Sequence, residues 1–258
     1  MAILDEAVDI HDLGQRNLWV LYGKSNSGKT WVASTFPKPM LYLQIGDDGS
    51  NTIAKVDGIK AIRLDKVRDP STGKEKDANP VQRLKDLSKE LMKDKTYKTV
   101  VVDTFSLVVN EWTDIQVISK NKRMTQQLWG DLKIEQEELT KLMHKLARKR
   151  IVVLTCHENT DSIEGMEDEI TPDVRPSVSK GARTYLEGMA NYGIHTTKIV
   201  KEITKGNTTK EVVKYAADIG PNPYYWTKLQ VDPSTKVPAR IINPSYDKFM
   251  AIINAVEE

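Results

Sequence analysis

The chain has 258 residues, 39% of them hydrophobic, and its 38 basic and 36 acidic side chains leave a formal charge of +2. That length can bury a full core as one large domain, and the near-balance of charge excludes a global field toward nucleic acid or membrane, so any such surface is local. The single cysteine, Cys156, excludes an intrachain disulfide and a cysteine zinc cluster, and with no apolar run near the length of a membrane span the expectation is a cytoplasmic protein without a membrane partner.

In chain order, the apolar run 18–22 reads as the first strand. Behind it, Gly23-Lys24-Ser25-Asn26-Ser27-Gly28-Lys29-Thr30 matches G-x-x-x-x-G-K-[ST], the phosphate-cradling P-loop. Glycines at both ends permit the curvature that turns backbone N–H groups onto anionic oxygens. Lys29 is placed to reach the β/γ-phosphates of ATP and Thr30 to set its hydroxyl on Mg²⁺. Gly23, Ser25, Asn26, Ser27, Gly28, Lys29 and Thr30 are therefore the expected nucleotide contacts. A helix over about 29–35 must stop before Pro37. Residues 40–45 form the second expected strand, with the turn Gly46-Asp47-Asp48-Gly49 after it, and 59–64 a third. Residues 66–80 are polar, bounded by Pro70 and Pro80, and read as a surface excursion. Val81, Leu84, Leu87 and Leu91 recur at helical steps.

Val100, Val101 and Val102 run without polar interruption, as in a central parallel strand buried on both faces, and Asp103 ends it. An amphipathic helix over about 128–148 and a further central strand over 151–155 follow, then Cys156, His157 and Glu158. The polar stretch 159–180, with Pro172 and Pro176, reads as a long functional loop. Residues 194–203 and 211–217 form an antiparallel hairpin about Lys205-Gly206-Asn207, and a short helix near 246–256 closes the chain. This order predicts an α/β P-loop NTPase core, a mainly parallel central sheet flanked by helices, plus a C-terminal antiparallel hairpin. The chain is read as one domain, with an N-terminal extension over 1–17, a core over 18–190, and the hairpin and last helix over 191–258.

Asp103 suits the Mg²⁺ water shell, because an acid at the end of a buried strand beside the P-loop strand faces the phosphates. The alternative is a helix cap. Ligands in open α/β sheets lie beyond the carboxyl ends of the strands, which brings forward Asp47 and Asp48 on one side and His157 and Glu158 on the other. Asp47 is the expected water-activating base, with Asp48 as the register alternative and an ordinary Asp/Gly turn as the plain reading. His157 is either a satisfied polar residue or a γ-phosphate sensor. No H-E-x-x-H is completed, so a metalloprotease is excluded. Two basic groups could meet nucleic-acid phosphates: Lys120, Lys122 and Arg123, and then Arg175, Lys180 and Arg183. Trp19 and Trp31, which flank the P-loop, read as packing residues.

The order of P-loop, Gly/Asp turn, -VVVDT-, long helix, -IVVLTCHE- and polar loop resembles the RecA-type ATPase core, and more closely the compact RecA-like nucleotide-binding proteins of bacteriophages, some of which are single-strand annealing or recombination proteins. The resemblance is specific over about residues 18–160. It implies a Mg²⁺-dependent ATPase that binds single-stranded DNA in phage recombination or replication, in the cytoplasm of a bacterial host. It also implies a homo-oligomer, ring or filament, with a phage single-strand binding protein as a further partner. Asp47 takes the place of the family's water-activating carboxylate, where glutamate is commoner. His157 matches the polar residue that relays nucleotide state, and residues 120–123 and 159–180 fall in the two DNA loops. Lys228, Lys236 and Arg240 are the late basic residues available to complete a neighbour's site. The competing readings are a nucleotide-dependent assembly or regulatory switch without DNA, and a small-molecule kinase.

Overall fold

The computed structural model describes residues 17–46, 49–164, 170–205 and 208–255. In chain order its elements are β1 (Leu18–Gly23), α1 (Lys29–Ser34), β2 (Met40–Gln44), α2 (Ser50–Ile53), β3 (Ile59–Arg63), β4 (Lys66–Arg68), β5 (Glu75–Asp77), α3 (Pro80–Leu91), β6 (Thr99–Asp103) and α4 (Phe105–Gln116). There follow α5 (Gln126–Leu146), β7 (Ile151–Glu164), β8 (Ile170–Pro176), α6 (Lys180–Met189), β9 (Tyr192–Lys205), β10 (Thr208–Asp218), β11 (Lys228–Leu229), β12 (Arg240–Ile242) and α7 (Tyr246–Ile253).

β1 is buried at every position because it has a core on each face. Leu18, Val20 and Tyr22 enter one core and Trp19 and Leu21 the other, the period-two alternation of extended chain. Val100 and Val102 join the first core and Val101 the second, which is why this strand reads as an unbroken apolar run. The first core is covered by α3, α4, α5 and α6 through residues such as Leu84, Phe105, Leu139 and Leu186. The second lies under α1 and α7, where Trp19 stacks on Tyr192 at 3.9 Å and meets Phe36 edge-on at 5.1 Å. Each such fully buried apolar side chain contributes about 1.5–3 kcal/mol relative to exposure.

The main sheet has the order β12-β10-β9-β1-β7-β6-β2-β3, with β9, β1, β7, β6, β2 and β3 parallel and β10 and β12 antiparallel to their neighbours. This is the expected α/β architecture with its C-terminal antiparallel hairpin. One feature of that hairpin was not visible in the sequence: its first strand, β9, lies parallel against β1, so the hairpin is built into the sheet beside the P-loop strand.

Two polar stretches carry more structure than a loop; the first keeps the expected place at the surface and the second differs from expectation. Residues 66–80 contain the small ribbon β4–β5, whose turn is pinned by Asp69; its carboxylate accepts from Ser71 Oγ at 2.6 Å and from the Ser71 and Thr72 backbone, which pulls its pKa down to about 2. Of residues 159–180, those described are largely strand rather than loop. β7 continues past the sheet to Glu164 and returns as the antiparallel β8, and α6 begins at Lys180. Pro172 and Pro176 belong to β8, whose one ladder among the described residues is with β7 and whose other side is bonded only at Val174, to Tyr224 and Trp226; a strand so little paired on that side tolerates residues that cannot donate.

Candidate nucleotide site

Beyond the carboxyl end of β1 a cavity of about 260 Å³ is lined by the run from Ser25 to Trp31 and by Asp103, His157 and Tyr215. Two glycines shape it. A Cβ on Gly23 would lie 2.2 Å from the Thr196 carbonyl oxygen, so only glycine lets β9 pass against the loop's first residue. Gly28, at φ +91°, precedes α1 in the left-handed region, and a Cβ there would lie 2.8 Å from the Tyr215 ring. Ser27 Oγ shares a 2.7 Å hydrogen bond with Thr196 Oγ1, which ties the loop to β9.

Lys29 is buried, and its Nζ donates to the carbonyls of Gly23 at 2.9 Å and Lys24 at 2.7 Å. The loop's own carbonyls thus hold the ammonium in place. Thr30 Oγ1 donates to Asp103 Oδ2 at 2.7 Å, which brings P-loop and strand end into direct contact. Tyr42 Oη donates to the same oxygen, while Thr104 Oγ1, at 2.9 Å, and Thr155 Oγ1 donate to Oδ1. The Asp103–Thr104 peptide is cis. Four hydroxyls therefore orient one buried carboxylate, and a helix-capping role is not what its side chain shows: α4 has no side-chain cap.

His157 pairs in register with Gly23 and lies where β7 leaves the sheet for the β7–β8 arm. Its backbone N–H donates to Ser106 Oγ at 3.0 Å and its carbonyl accepts from Ser177 N at 2.7 Å. Cys156 beside it is fully buried, and burial pushes its thiol up to about 12, so it is no nucleophile. Asp47 and Asp48 lie outside the described residues.

Of the expected nucleotide contacts, Ser25, Asn26, Ser27, Gly28, Lys29 and Thr30 line the cavity, while Gly23 acts through its carbonyl on Lys29. Trp19 is buried as expected, but Trp31 is 48% exposed and lines the cavity, so it is not a core residue. Tyr215, Tyr42, Thr155 and Thr196 were missed; each reaches the site from a strand distant in sequence, and nothing in local spacing marks them.

The expected DNA contacts separate into two kinds. Lys120, Lys122, Arg123 and Lys180 are exposed. Arg175 instead donates to Asp173 at 2.5 Å and lies 3.6 Å from Glu187, and buried Arg183 pairs with Asp161, so both arginines brace the arm against α6. Among the late basic residues, Lys228 donates to the Glu187 and Gly188 carbonyls at the end of α6, and Arg240 donates to Asp218 at 2.6 Å.

That last bond belongs to a chain of charges the sequence did not signal. His195 Nδ1 lies 2.9 Å from Asp218 and Nε2 3.0 Å from Glu158, with the ring stacked on Tyr225 at 3.9 Å. Burial works against the Asp218 carboxylate, yet the hydrogen bonds from His195 and Arg240 hold it below its ordinary range. Because β7 and β9 flank β1, this Glu158–His195 contact clasps the P-loop strand from both sides.

Among the described residues no group of three or more His, Cys, Asp or Glu could hold a metal, and no helix is long and apolar enough to cross a membrane. The oxygen donors of Thr30 and Asp103 fit a hard cation that takes its other ligands from phosphate and water. No curated protein matches the chain. A family model described as an AAA domain matches residues 16–229, which takes in the P-loop, Asp103, His157 and both strands of the C-terminal hairpin. The chain belongs to this family, AAA_24, and is by that membership a nucleotide-binding protein of the P-loop ATPase type.

Proposed function

We propose that this chain is a Mg²⁺-dependent ATPase of the RecA-like kind that binds single-stranded DNA as a homo-oligomer and serves phage recombination or replication. The observation that carries the coupling is the position of His157, which lines the nucleotide cavity and starts the β7–β8 arm. A change at the γ-phosphate is felt at the residue where the arm departs.

The P-loop N–H groups receive the phosphates, and Lys29 exchanges the Gly23 and Lys24 carbonyls for β/γ oxygens. Thr30 and Asp103 would hold Mg²⁺, which when bound would supply neutralisation of phosphate charge. Tyr42, Thr104 and Thr155 fix the Asp103 carboxylate so that it faces the cavity without reorganising. Trp31 and Tyr215 offer ring faces at the rim to the nucleobase. Asp47 positions the attacking water. Lys120, Lys122, Arg123 and Lys180 meet strand phosphates; Arg175 and Arg183 would first have to leave their carboxylates.

That ion pairing favours a second reading, a nucleotide-dependent switch whose arm contacts protein. ATP hydrolysis measured with and without single-stranded DNA, with particle size in each state, separates the two. Stimulation and a larger particle are expected. Replacing Lys120, Lys122 and Arg123 together with alanine should weaken strand binding alike for every sequence and lower the salt slope by about 2, at roughly 0.7 per contact. No measurable strand affinity with ATP and Mg²⁺ at low salt would leave the switch in its place.

A further inference from the structure

The opposite edge of the sheet, where the parallel strands begin, has a second cavity of about 570 Å³. It lies between the segment that follows α3 and the turn into β7, and it is lined by Lys93, Lys95, Lys149, Arg150, Asp94 and Tyr97 together with Met92. In a chain with a formal charge of +2, four cations against one carboxylate around a single cavity is a pronounced local excess.

Part of this charge has an internal task. Lys149 Nζ donates to the Met92 carbonyl at 2.9 Å, and Arg150 Nη2 donates to the carbonyls of Leu91, at 2.7 Å, and Asp94. These bonds finish the C-terminal end of α3 and balance its negative pole. The surplus is what remains. Arg150, its side chain 4% exposed, keeps Nε and Nη1 without hydrogen-bond partners among the described residues, Nη1 lying 3.7 Å from Asp94. Those two nitrogens are out of reach of solvent, so Arg150 acts as a fixed positive charge under the cavity rather than as a direct ligand. Asp94 is turned onto Thr96, accepting from its backbone N–H and its hydroxyl at 2.8 Å each. Lys93 and Lys95 are exposed at the rim, and Lys149 spends one of three protons on Met92.

We propose that this cavity is a second nucleic-acid site, holding a phosphate group of a single strand. Three features favour a strand over a free phosphate. The volume is that of a ligand pocket for a whole nucleotide unit rather than one anion, within the usual range of about 300–1,000 Å³. Lys93 and Lys95 are exposed at the rim, as suits a backbone that passes through, where a free phosphate is caged by converging buried donors. Half-buried Tyr97 forms part of the wall and offers an aromatic face to a base. The site reads charge and stacking, so it is indifferent to sequence.

This inference rests on the strand binding proposed above and adds a path for the strand away from the nucleotide. The test is fluorescence anisotropy of a labelled thymidine oligomer, about fifteen nucleotides long, across a salt series in the presence of ATP and Mg²⁺. The double variant Lys93→Ala, Lys95→Ala should bind more weakly, with a salt slope lower by about 1.4 for two lost contacts. ATP affinity should be unchanged, and Lys93→Glu with Lys95→Glu should lose more. Both lysines are exposed, so the variants fold, as a thermal melt will check. The oligomer should also slow acetylation of Lys93 and Lys95 in the wild type. Wild-type slope and affinity in both variants, with no protection of the lysines, would overturn the inference and leave strand binding elsewhere intact. If the wild type binds no oligomer, the strand reading falls with it; protection of the lysines by pyrophosphate alone would assign the cavity to a free phosphate and equally overturn the proposal.

Discussion

Two aspartates at the carboxyl side of the sheet are buried alike, Asp103 at 4% and Asp218 at 2% exposure, and their surroundings differ in kind. Every hydrogen bond to Asp103 among the described residues comes from an uncharged hydroxyl, of Thr30, Tyr42, Thr104 or Thr155. Asp218 meets the imidazole of His195 and the guanidinium of Arg240. An ion taken out of water costs several kcal/mol unless opposite charge and hydrogen bonds offset it. Asp218 has a cation bonded to it within the fold, while Asp103 is hydrogen-bonded among the described residues by dipoles alone and shares its cavity with the Lys29 ammonium, so it is suited to a cation that arrives with a ligand. Burial alone does not distinguish a functional carboxylate from a structural one; the charge of its partners does.

The largest effect expected on the Asp103 side comes from Lys29→Ala, which removes the cation the loop presents to the phosphates. Turnover should fall on the order of a hundredfold to a thousandfold in a protein that still folds by circular dichroism. Undiminished turnover would reduce the P-loop to a surface turn and remove the functional half of the comparison.

On the Asp218 side the largest effect concerns stability. His195→Ala leaves the Glu158 and Asp218 carboxylates without the ring between them, and urea unfolding should show a loss of about 3–5 kcal/mol, the scale of a broken buried ion pair. A midpoint within error of the wild type would mean that the clasp around β1 is ornamental.

Asp103→Asn sharpens the contrast. The amide turns a donor toward hydroxyls that were donating to both oxygens, so a smaller stability loss of about 1–3 kcal/mol is expected. Hydrolysis should fall more than nucleotide affinity, with a Mg²⁺ titration displaced to higher concentration. Should the Mg²⁺ titration stay put while stability drops as far as in His195→Ala, Asp103 would be a structural anchor like Asp218.

The smallest effect is a pH dependence. The folded state holds Asp218 below its ordinary pKa, so as pH falls the unfolded chain takes up the proton first. The stability this carboxylate contributes is complete above about pH 4, near the ordinary carboxylate value, and is lost as pH falls through the lower folded value. Acid unfolding followed by tryptophan fluorescence should therefore lose part of its steepness below that pH in Asp218→Asn. An identical acid limb in wild type and variant would remove the ion pair from the account.

Comparison of the chain with its structure shows which signals travel through sequence. β1, β2, β3, β6, α3 and α5 were readable because one face or both are buried, and burial writes a period into the residues. The β7–β8 arm was not, since beyond Glu158 its strands carry polar residues and prolines that resemble a loop, and a single valine, Val174, returns to the core without a period to mark it. α6 was unread for a related reason: it follows that polar stretch directly, and its main anchor, Leu186, packs on a core assembled elsewhere. The Glu158–His195–Asp218–Arg240 chain spans four strands, and no spacing connects its members.

The sequence by itself determined the phosphate loop, because eight consecutive residues contain the glycines, the lysine and the hydroxyl that the chemistry requires, and it determined the strand that ends in Asp103, because a strand buried on both faces has to be apolar. Tertiary structure alone decided which polar residues compensate one another. It turned Arg175 and Arg183 inward to carboxylates, left Lys120, Lys122 and Arg123 in solvent, raised Trp31 and Tyr215 to the cavity rim, and gathered Lys93, Lys95, Lys149 and Arg150 around the far cavity. Hydrophobic burial repeats along the chain and can be read there, whereas charge pairing acts between groups that meet only when strands distant in sequence become neighbours.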